Sequence, residues 1–142
     1  NFVSSIAGTY HLSSFSGSLS SGERHTCATK NGALYCWGLN ANGQLGTGNT
    51  TNATSPAMVA GFSTGVQAVA AGYRHTCAIR NNALFCWGLA ASHQLGTGSA
   101  VQATFPQAVF DMGTDVQAVS AGVDHTCAIR AGALYCWGGN GN

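Results

Sequence analysis

Short runs in which apolar residues alternate with small or polar ones follow one another along the chain, and turn residues separate them. Residues 25–29 and 33–37 form one such pair, with Lys30, Asn31 and Gly32 between them. Strand-like runs bounded by Gly, Asn and Ser are typical of β-strands. No apolar run reaches the 18 residues that indicate a membrane-spanning helix. The pattern predicts an all-β protein that does not insert into a membrane.

The pattern repeats with a period of 50 residues. The motif Gly-x-x-His-Thr-Cys-Ala occurs at 22–28, 72–78 and 122–128, and Ala-Leu-(Tyr/Phe)-Cys-Trp-Gly occurs at 33–38, 83–88 and 133–138. A Gln-Leu-Gly-Thr-Gly segment at 44–48 returns at 94–98, and Val-Gln-Ala-Val at 66–69 returns at 116–119. A period of this length, built from short strands and glycine turns, is typical of propeller blades.

The repeats divide the chain into four segments. We assign residues 22–71 to repeat 1, 72–121 to repeat 2 and 122–142 to a partial repeat 3, and 1–21 to a degenerate N-terminal strand or cap. In that cap, Val3, Ile6, Gly8 and His11 echo Val66, Val69, Gly72 and His75, one residue short and without the cysteine. The sequence therefore predicts about three blades.

Each repeat contains a hairpin whose register opposes two cysteines. Asn-Gly is a strong signal for a two-residue hairpin loop, and placing Asn31 and Gly32 there sets Cys27 opposite Cys36. Counting back from the loop puts this pair at a non-hydrogen-bonded position, where the Cα atoms approach to about 4.5 Å, within disulfide range. The same count predicts three disulfides: Cys27–Cys36, Cys77–Cys86 and Cys127–Cys136.

Two other uses of the cysteines stay open at this stage. His-Thr-Cys with a later Cys supplies soft metal ligands, although two facing cysteines are too few for a closed tetrahedral site. Free buried thiols are the other alternative. Disulfides are favoured, and they imply an oxidising compartment, so that the protein is expected to be secreted or at a cell surface.

Charge is scarce in this sequence. Only 6% of residues are charged, the net charge is +1, and the five Lys and Arg residues are scattered. A nucleic-acid-binding surface requires clustered basic residues, so nucleic acid and anionic membranes are not expected partners. Proteins with little net charge tend to associate, which favours a chain that packs against copies of itself.

The order of these motifs resembles the regulator-of-chromosome-condensation repeat. His-Thr-Cys-Ala, a hairpin, Ala-Leu-Tyr-Cys-Trp-Gly and then Asn-Gly-Gln-Leu-Gly-Thr-Gly carry the resemblance, which covers about 120 of 142 residues. The cysteine-paired form is most similar to that of secreted bacterial proteins. The resemblance implies four-stranded propeller blades, commonly seven in a closed ring. It also implies that Trp37, Trp87 and Trp137, with Leu45 and Leu95, pack between blades.

The recurring histidines, His25, His75 and His125, are interpreted as structural. A catalytic residue is needed once, whereas these occur in every repeat. Neither a Ser-His-Asp set nor a phosphate-binding loop is present, and the acidic residues Glu23, Asp111, Asp115 and Asp124 form no sequence cluster. We therefore expect no enzymatic activity and no cofactor or bound metal.

The chain holds too few repeats for a ring, since seven blades need roughly 350 residues. An open array exposes strand edges and an apolar blade face. Either the sequence is a fragment of a longer protein, or other chains complete it, in a closed oligomer or a filament. We expect a self-associating extracellular scaffold or adhesive protein, an oligomer or filament subunit whose copies join by strand complementation at their open ends. The alternative is a secreted module that binds or inhibits one protein partner through its blade loops.

Two further sets of residues bear on these alternatives. Sequons at Asn49 and Asn52, together with the Ser/Thr-rich segments 13–21 and 49–55, could carry covalent glycans. Residues that vary between the repeats and could anchor a protein partner are Tyr73, Phe105, Phe110 and Met112.

Overall fold

The fold consists of β-strands connected by tight turns. It was obtained as a computed structural model that describes the backbone of residues 3–6 and 9–12 and the whole of residues 17–140. All regular elements in these ranges are strands, which confirms the all-β prediction. They pair into three consecutive antiparallel blade sheets and one separate two-stranded sheet.

The three blade sheets follow one another along the chain. Blade 1 contains β3 (Leu19–Ser21), β4 (His25–Lys30), β5 (Ala33–Gly38) and β6 (Ala53–Met58). Blade 2 contains β7 (Val66–Ala71), β8 (His75–Arg80), β9 (Ala83–Gly88) and β10 (Ala103–Ala108). Blade 3 contains β11 (Val116–Ala121), β12 (His125–Arg130) and β13 (Ala133–Gly138). Each sheet has the strands in chain order, and within the described residues blade 3 has three strands where the others have four.

The central hairpin of each blade has the predicted register. In blade 1, Lys30 opposes Ala33 and Cys27 opposes Cys36, and the loop residues Asn31 and Gly32 have positive φ angles of 51° and 77°. Two successive positive φ angles are the signature of a type I′ turn, which matches the twist of the flanking strands. The same register occurs in β8–β9 and β12–β13.

The cysteine pairs are disulfide-bonded in all three hairpins, as predicted. The Cα atoms of each pair lie 4.1 Å apart, and no cysteine of the described residues is free. This separation is close to the 4.5 Å of a non-hydrogen-bonded pair, which explains why a register derived from the loop alone locates the bridges.

The outermost strands β6 and β10 carry an irregularity at their proline. In β6 the partners of Cys36 and Gly38 are Ala57 and Ala53, so the register shifts between these two pairs. Pro56 lies in the shifted segment, and Pro106 occupies the same place in β10. A proline is tolerated there because a bulge leaves its missing N–H without a ladder bond.

The N-terminal segment differs from the expected echo of a repeat. β1 (Val3–Ile6) and β2 (Thr9–Leu12) pair with each other as a two-stranded sheet, and Gly8 lies outside the described residues. In blade 1 it is β3 that takes the place of β7 of blade 2, because Leu19 pairs with Ala28 as Val69 pairs with Ala78. The 1–21 segment therefore contains the first strand of blade 1, and the alignment of Val3 and Ile6 with Val66 and Val69 is wrong.

The sheets are also offset by one strand from the repeats. Repeat 1 ends with residues 66–71, yet this strand is the first of blade 2. Each repeat thus supplies three strands to one sheet and one to the next, which ties neighbouring blades together through the chain itself.

The core lies between the sheets. One buried cluster joins side chains of blade 1, including Leu34, Leu45 and Val59, to Val69 and Trp87 of blade 2. A second cluster, equivalent by the 50-residue repeat, joins Leu84, Leu95 and Val109 to Val116 and Ala128 of blade 3. Burial of apolar surface between blades is the main stabilising term of such an array.

Candidate protein interface

The recurring histidines link each blade to the next. His25 Nε2 lies 2.9 Å from Thr76 Oγ1 in blade 2, and His75 Nε2 lies 2.9 Å from Thr126 Oγ1 in blade 3. Thr76 Oγ1 donates its single hydrogen to the carbonyl oxygen of Gln44 at 2.7 Å. The hydroxyl must then accept from the histidine, so the imidazole carries its proton on Nε2.

The loop after each hairpin is held by the following blade. The Gln44 carbonyl oxygen accepts a second hydrogen bond from Trp87 Nε1 at 2.9 Å. The Gln94 carbonyl repeats both contacts, with Thr126 Oγ1 at 2.7 Å and Trp137 Nε1 at 3.0 Å. We name this His–Thr–Gln–Trp set the junction relay. It occurs twice in the described residues, once at each junction between blades.

Glycine allows the blades to approach closely beside the relay. The amide of Tyr73 donates to the carbonyl of Gly122 at 3.1 Å, across the junction between blades 2 and 3. A side chain at Gly22 would collide with the Gly72 carbonyl oxygen and with the His25 ring. These glycines therefore fix both the distance between sheets and the position of the imidazole.

Burial keeps the junction histidines neutral. His25 and His75 are 3% and 0% exposed. Loss of hydration lowers the pKa of each to about 4, and the Glu23 carboxylate only partly opposes this effect at His25. Neither Nδ1 atom has a hydrogen-bond partner within the described residues. A neutral imidazole suits a relay in which Nε2 donates, and the structural interpretation of both residues agrees with their position.

Blade 3 presents the same surface without a following blade upon it. Leu134 is 69% exposed, whereas its counterpart Leu84 is 2% exposed, and Ile129 is 38% exposed where Ile79 is 1% exposed. The side chain of His125 is half exposed, beside an open recess of about 470 Å³. We name this surface, formed by His125, Cys127, Ile129, Leu134 and Cys136, the downstream face.

Blade 1 presents the complementary surface. Leu19 is 68% exposed, whereas Val69, its counterpart in β7, is 6% exposed against blade 1. Thr26 and Trp37 correspond to the relay residues Thr76 and Trp87, and both are half buried. The side chain of Trp37 is not free, because it already interacts with other parts of the chain. We name the surface formed by Leu19, Thr26 and Trp37 the upstream face.

The other sequence-predicted residues fall into two groups. Tyr73, Phe105 and Phe110 are 41%, 51% and 65% exposed and could contact a partner. Met112 does not fit that role, because it is 5% exposed in the second core cluster, where it takes the place of Phe62. Variation of a residue between the repeats therefore does not distinguish a surface anchor from a core position at which the side chain differs in size.

The sequons lie in a surface loop. Asn49 and Asn52 are exposed, and the Oδ1 of Asn52 accepts a hydrogen bond from the Asn40 amide at 2.8 Å. Asn40 is fully buried, and its side-chain amide donates to the carbonyls of Asn49 and Thr51. The loop is therefore folded around Asn40. Residues 13–16 of the Ser/Thr-rich segment lie outside the described residues.

The acidic residues do not converge in the described part of the chain. Glu23 forms an exposed ion pair with Arg74 of blade 2 at 3.1 Å, and this hydrogen bond lowers the pKa of the Glu23 carboxyl. Asp124 Oδ1 lies 3.9 Å from His125 Nδ1. Residues 17–140 contain no group of three His, Cys, Asp or Glu side chains placed to hold a metal ion. Within the same range no helix is long and apolar enough to span a bilayer.

Sequence reasoning did not identify the partners of the histidines. Thr26, Thr76 and Thr126 recur with the 50-residue period, as do Gln44 and Gln94. That recurrence was the available signal. The contacts themselves join residues 51 and 32 positions apart in different sheets, which a repeat alone cannot reveal.

Successive antiparallel sheets, packed face to face and joined by a recurring relay, define a β-propeller repeat module. The chain belongs to the family of regulator of chromosome condensation (RCC1) repeats, whose model matches residues 31–79 and 81–129. A second RCC1 repeat model matches residues 66–94.

Several solved structures superpose on this chain, and yeast RCC1 (Prp20) is among them. Human WBSCR16 superposes with a TM-score of 0.79 at 24% identity, over 93% of this chain and 36% of that protein. Prp20p from Saccharomyces cerevisiae gives 0.77 at 24% identity, over 89% and 34% of the two chains. The ectodomain of the receptor kinase CR4 from Physcomitrella patens gives 0.50 at 22%, over 84% and 29%. This chain thus spans about a third of the length of these proteins.

Proposed function

We propose that this chain is a non-enzymatic scaffold module that associates head to tail, with the downstream face of one copy packed on the upstream face of the next. One observation carries the proposal. The downstream face has the same residues that blades 1 and 2 bury against their successors, where Leu84 is 2% exposed. It therefore matches a surface that this chain already uses for packing one blade on the next.

The upstream face carries the kind of residues that contact the counterpart of the downstream face at the internal junctions. In the internal junctions, a Thr hydroxyl and an apolar residue of the first strand meet the His and the Leu of the preceding blade. Thr26 and Leu19 occupy these positions in blade 1. Because the two faces differ, their contact is heterologous, and repetition of it generates either a ring or a filament.

The expected compartment is extracellular. Three disulfides in a chain of this size favour an oxidising environment. One structural relative is itself described as an ectodomain. A net charge of +1 gives little repulsion between copies, so an adhesive or scaffold role agrees with the composition.

Two charge variants and their mixture test the proposal. Leu134→Glu places a carboxylate on the downstream face, and Leu19→Glu places one on the upstream face. Both positions are exposed in the single chain, so neither change is expected to unfold it. Light scattering without reducing agent should show oligomers for the unmodified chain and monomers for each variant. The 1:1 mixture should form dimers, because one intact face of each kind remains.

The outcomes separate the alternatives. A mixture that stays monomeric while the unmodified chain oligomerises shows that these faces are not the contact. A monomeric unmodified chain at about 100 µM, a concentration at which interfaces of ordinary size associate, overturns the scaffold proposal. Circular dichroism and titration of free thiols check that all variants keep the fold.

A second candidate function is a protein-binding module, favoured by the exposed aromatic rings of Phe105 and Phe110. The yeast relative Prp20p is described with binding properties to Gsp1p and histones, so propellers of this family include protein binders. The variant Phe105→Ser, Phe110→Ala carries the residues that blade 1 has at these positions, Ser55 and Ala60. Loss of partner capture by this variant, with oligomer size unchanged, supports the binder.

A further inference from the structure

The hairpin loop of blade 1 contains a peptide plane without hydrogen bonds in the described part of the chain. In the plane between Asn31 and Gly32, neither the Asn31 carbonyl nor the Gly32 amide has a partner among residues 17–140. The side chain of Asn31 is exposed. The next carbonyl along the loop, that of Gly32, is anchored because it accepts from the Val66 amide at 2.9 Å. The central plane is therefore the part of this loop that can rotate by itself.

The equivalent planes of the other two hairpins are each held by a glutamine. In blade 2, Gln67 Oε1 accepts from the Asn82 amide at 2.6 Å. In blade 3, Gln117 Oε1 accepts from the Gly132 amide at 2.8 Å. The pairing of β3 with β4 places Gly17 at the position of these glutamines in blade 1. Glycine has no side chain, so the first hairpin lacks this hydrogen bond.

Rotation of the free plane brings two reactive groups of the loop together. The φ angles of 51° at Asn31 and 77° at Gly32 are those of a type I′ turn, in which ψ of the first loop residue is about 30°. Rotation of the plane by half a turn gives a type II′ turn, in which this ψ is about −120°. At that angle the Gly32 nitrogen eclipses the Asn31 Cβ atom, which places it beside the amide carbon of the Asn31 side chain. The five atoms of a cyclic imide are then in position to close.

We propose that Asn31-Gly32 is a self-modification site, at which the Gly32 nitrogen attacks the side-chain carbonyl carbon of Asn31. The Gly32 nitrogen loses its proton as the new C–N bond forms, and the side-chain nitrogen of Asn31 leaves as ammonia. The product is a cyclic imide. Solvent water then adds to one of the two imide carbonyls and opens the ring. Opening at the main-chain carbonyl gives isoaspartate, in which the chain runs through the former side chain, and opening at the other gives aspartate.

Both products change the first hairpin. A carboxylate replaces a neutral amide, so one added negative charge lowers the formal net charge from +1 to zero. Isoaspartate also adds a methylene group to the main chain, and so it lengthens a loop that fixes the pairing of Lys30 with Ala33. Neither the downstream face nor the upstream face includes Asn31. The modification is therefore independent of the proposed self-association.

A matched comparison within one chain tests the proposal. Asn82→Gly gives blade 2 the same Asn-Gly loop, and Gln67 still holds its plane, as Gln117 does for a glycine in blade 3. A second variant adds Gln67→Ala, which releases the plane. The folded chains are incubated in mildly alkaline buffer without reducing agent. Mass spectrometry of proteolytic peptides measures conversion, with synthetic aspartate and isoaspartate peptides as standards.

The unmodified chain supplies a control that needs no variant. Asn42-Gly43 is the same dipeptide, but its Gly43 amide donates to the Asn40 carbonyl at 2.9 Å. It should react more slowly than Asn31-Gly32 in the folded chain, and at a similar rate in urea after reduction of the disulfides. If the difference persists in urea, the neighbouring sequence and not the free plane causes the reactivity, and the proposal is overturned.

In the folded Asn82→Gly chain, Asn31 should be converted about threefold to tenfold faster than Asn81, which corresponds to the contribution of one hydrogen bond. Addition of Gln67→Ala should remove most of this difference by raising the rate at Asn81. Equal rates at Asn31 and Asn81 in the presence of Gln67 overturn the proposal. Conversion of Asn31 in the unfolded chain alone also overturns it, because the folded loop would then protect the residue.

Discussion

At the scale of single residues, the hairpin loops show how one backbone conformation is met by different side chains. The first loop residue has φ angles of 51°, 50° and 47° at Asn31, Asn81 and Ala131. Asparagine tolerates this left-handed region because its amide forms local hydrogen bonds, whereas alanine has only the steric penalty. The third hairpin is therefore the one with a strained loop residue.

Ala131→Asn is expected to stabilise blade 3 by roughly 0.5–1 kcal/mol, since it replaces a strained residue by the one that the other loops use. The reverse change, Asn31→Ala, should destabilise blade 1 by a similar amount. Urea unfolding of both variants measures the difference. If Ala131→Asn lowers the unfolding midpoint, a contact of the alanine methyl group outweighs backbone strain.

At the scale of the element, the disulfide hairpins differ between blades in how deeply the bridge is buried. Cys77 and Cys86 are fully buried at the second junction. Cys127 is half buried and Cys136 is exposed. All three bridges close loops of the same length, with a sequence separation of 9. Each bridge therefore restricts the unfolded chain to the same extent. Differences between blades in the free energy of unfolding that is lost with the bridge must then come from packing in the folded chain.

The double variant Cys127→Ala, Cys136→Ala should lower the free energy of unfolding by about 2–3 kcal/mol, the loop-closure contribution. Cys77→Ala, Cys86→Ala should cost about 1–2 kcal/mol more, because it also leaves a cavity in the core. Chemical unfolding of both double variants at one pH compares them. Equal losses would show that the core closes around the missing sulfur atoms.

The hairpin is also the element that the sequence predicts best. A two-residue loop fixes the register of its own strands, so Cys27 and Cys36 could be paired by counting from Asn31 and Gly32. The first strand of blade 1 was misplaced because Leu19–Ser21 is short and lacks the Val-Gln-Ala-Val signature of β7. The junction relay was missed because it depends on how sheets stack, and stacking leaves no local pattern.

At the scale of the whole molecule, the junctions make stability depend on pH. His25 and His75 have pKa values of about 4 in the folded chain, against about 6.5 in an unfolded one. Between these values the unfolded state binds more protons, so folding weakens as the pH falls from about 6.5 to about 4. Above that window the two histidines give no further change.

Each histidine should contribute up to roughly 3 kcal/mol across the window, because one pKa unit corresponds to about 1.4 kcal/mol. Urea midpoints measured between pH 7 and pH 4 should therefore fall steeply for the unmodified chain and less steeply for His75→Gln. His125→Gln, at a half-exposed position outside a filled junction, is the matched control. If His75→Gln leaves the dependence of the urea midpoint on pH unchanged, other titratable groups cause the loss of stability at low pH.

The carbonyl of Gln44 accepts from Thr76 and Trp87, and that of Gln94 accepts from Thr126 and Trp137. The unit of residues 72–121 therefore carries one acceptor loop for its successor and one set of donors for its predecessor. Removal of residues 72–121 in frame would place the Gln44 carbonyl against Thr126 and Trp137. The same hydrogen bonds would then form, and no new kind of interface would be needed. A change in the length of this chain by one 50-residue unit would thus keep its junctions intact, whereas a change by any other length would break one of them.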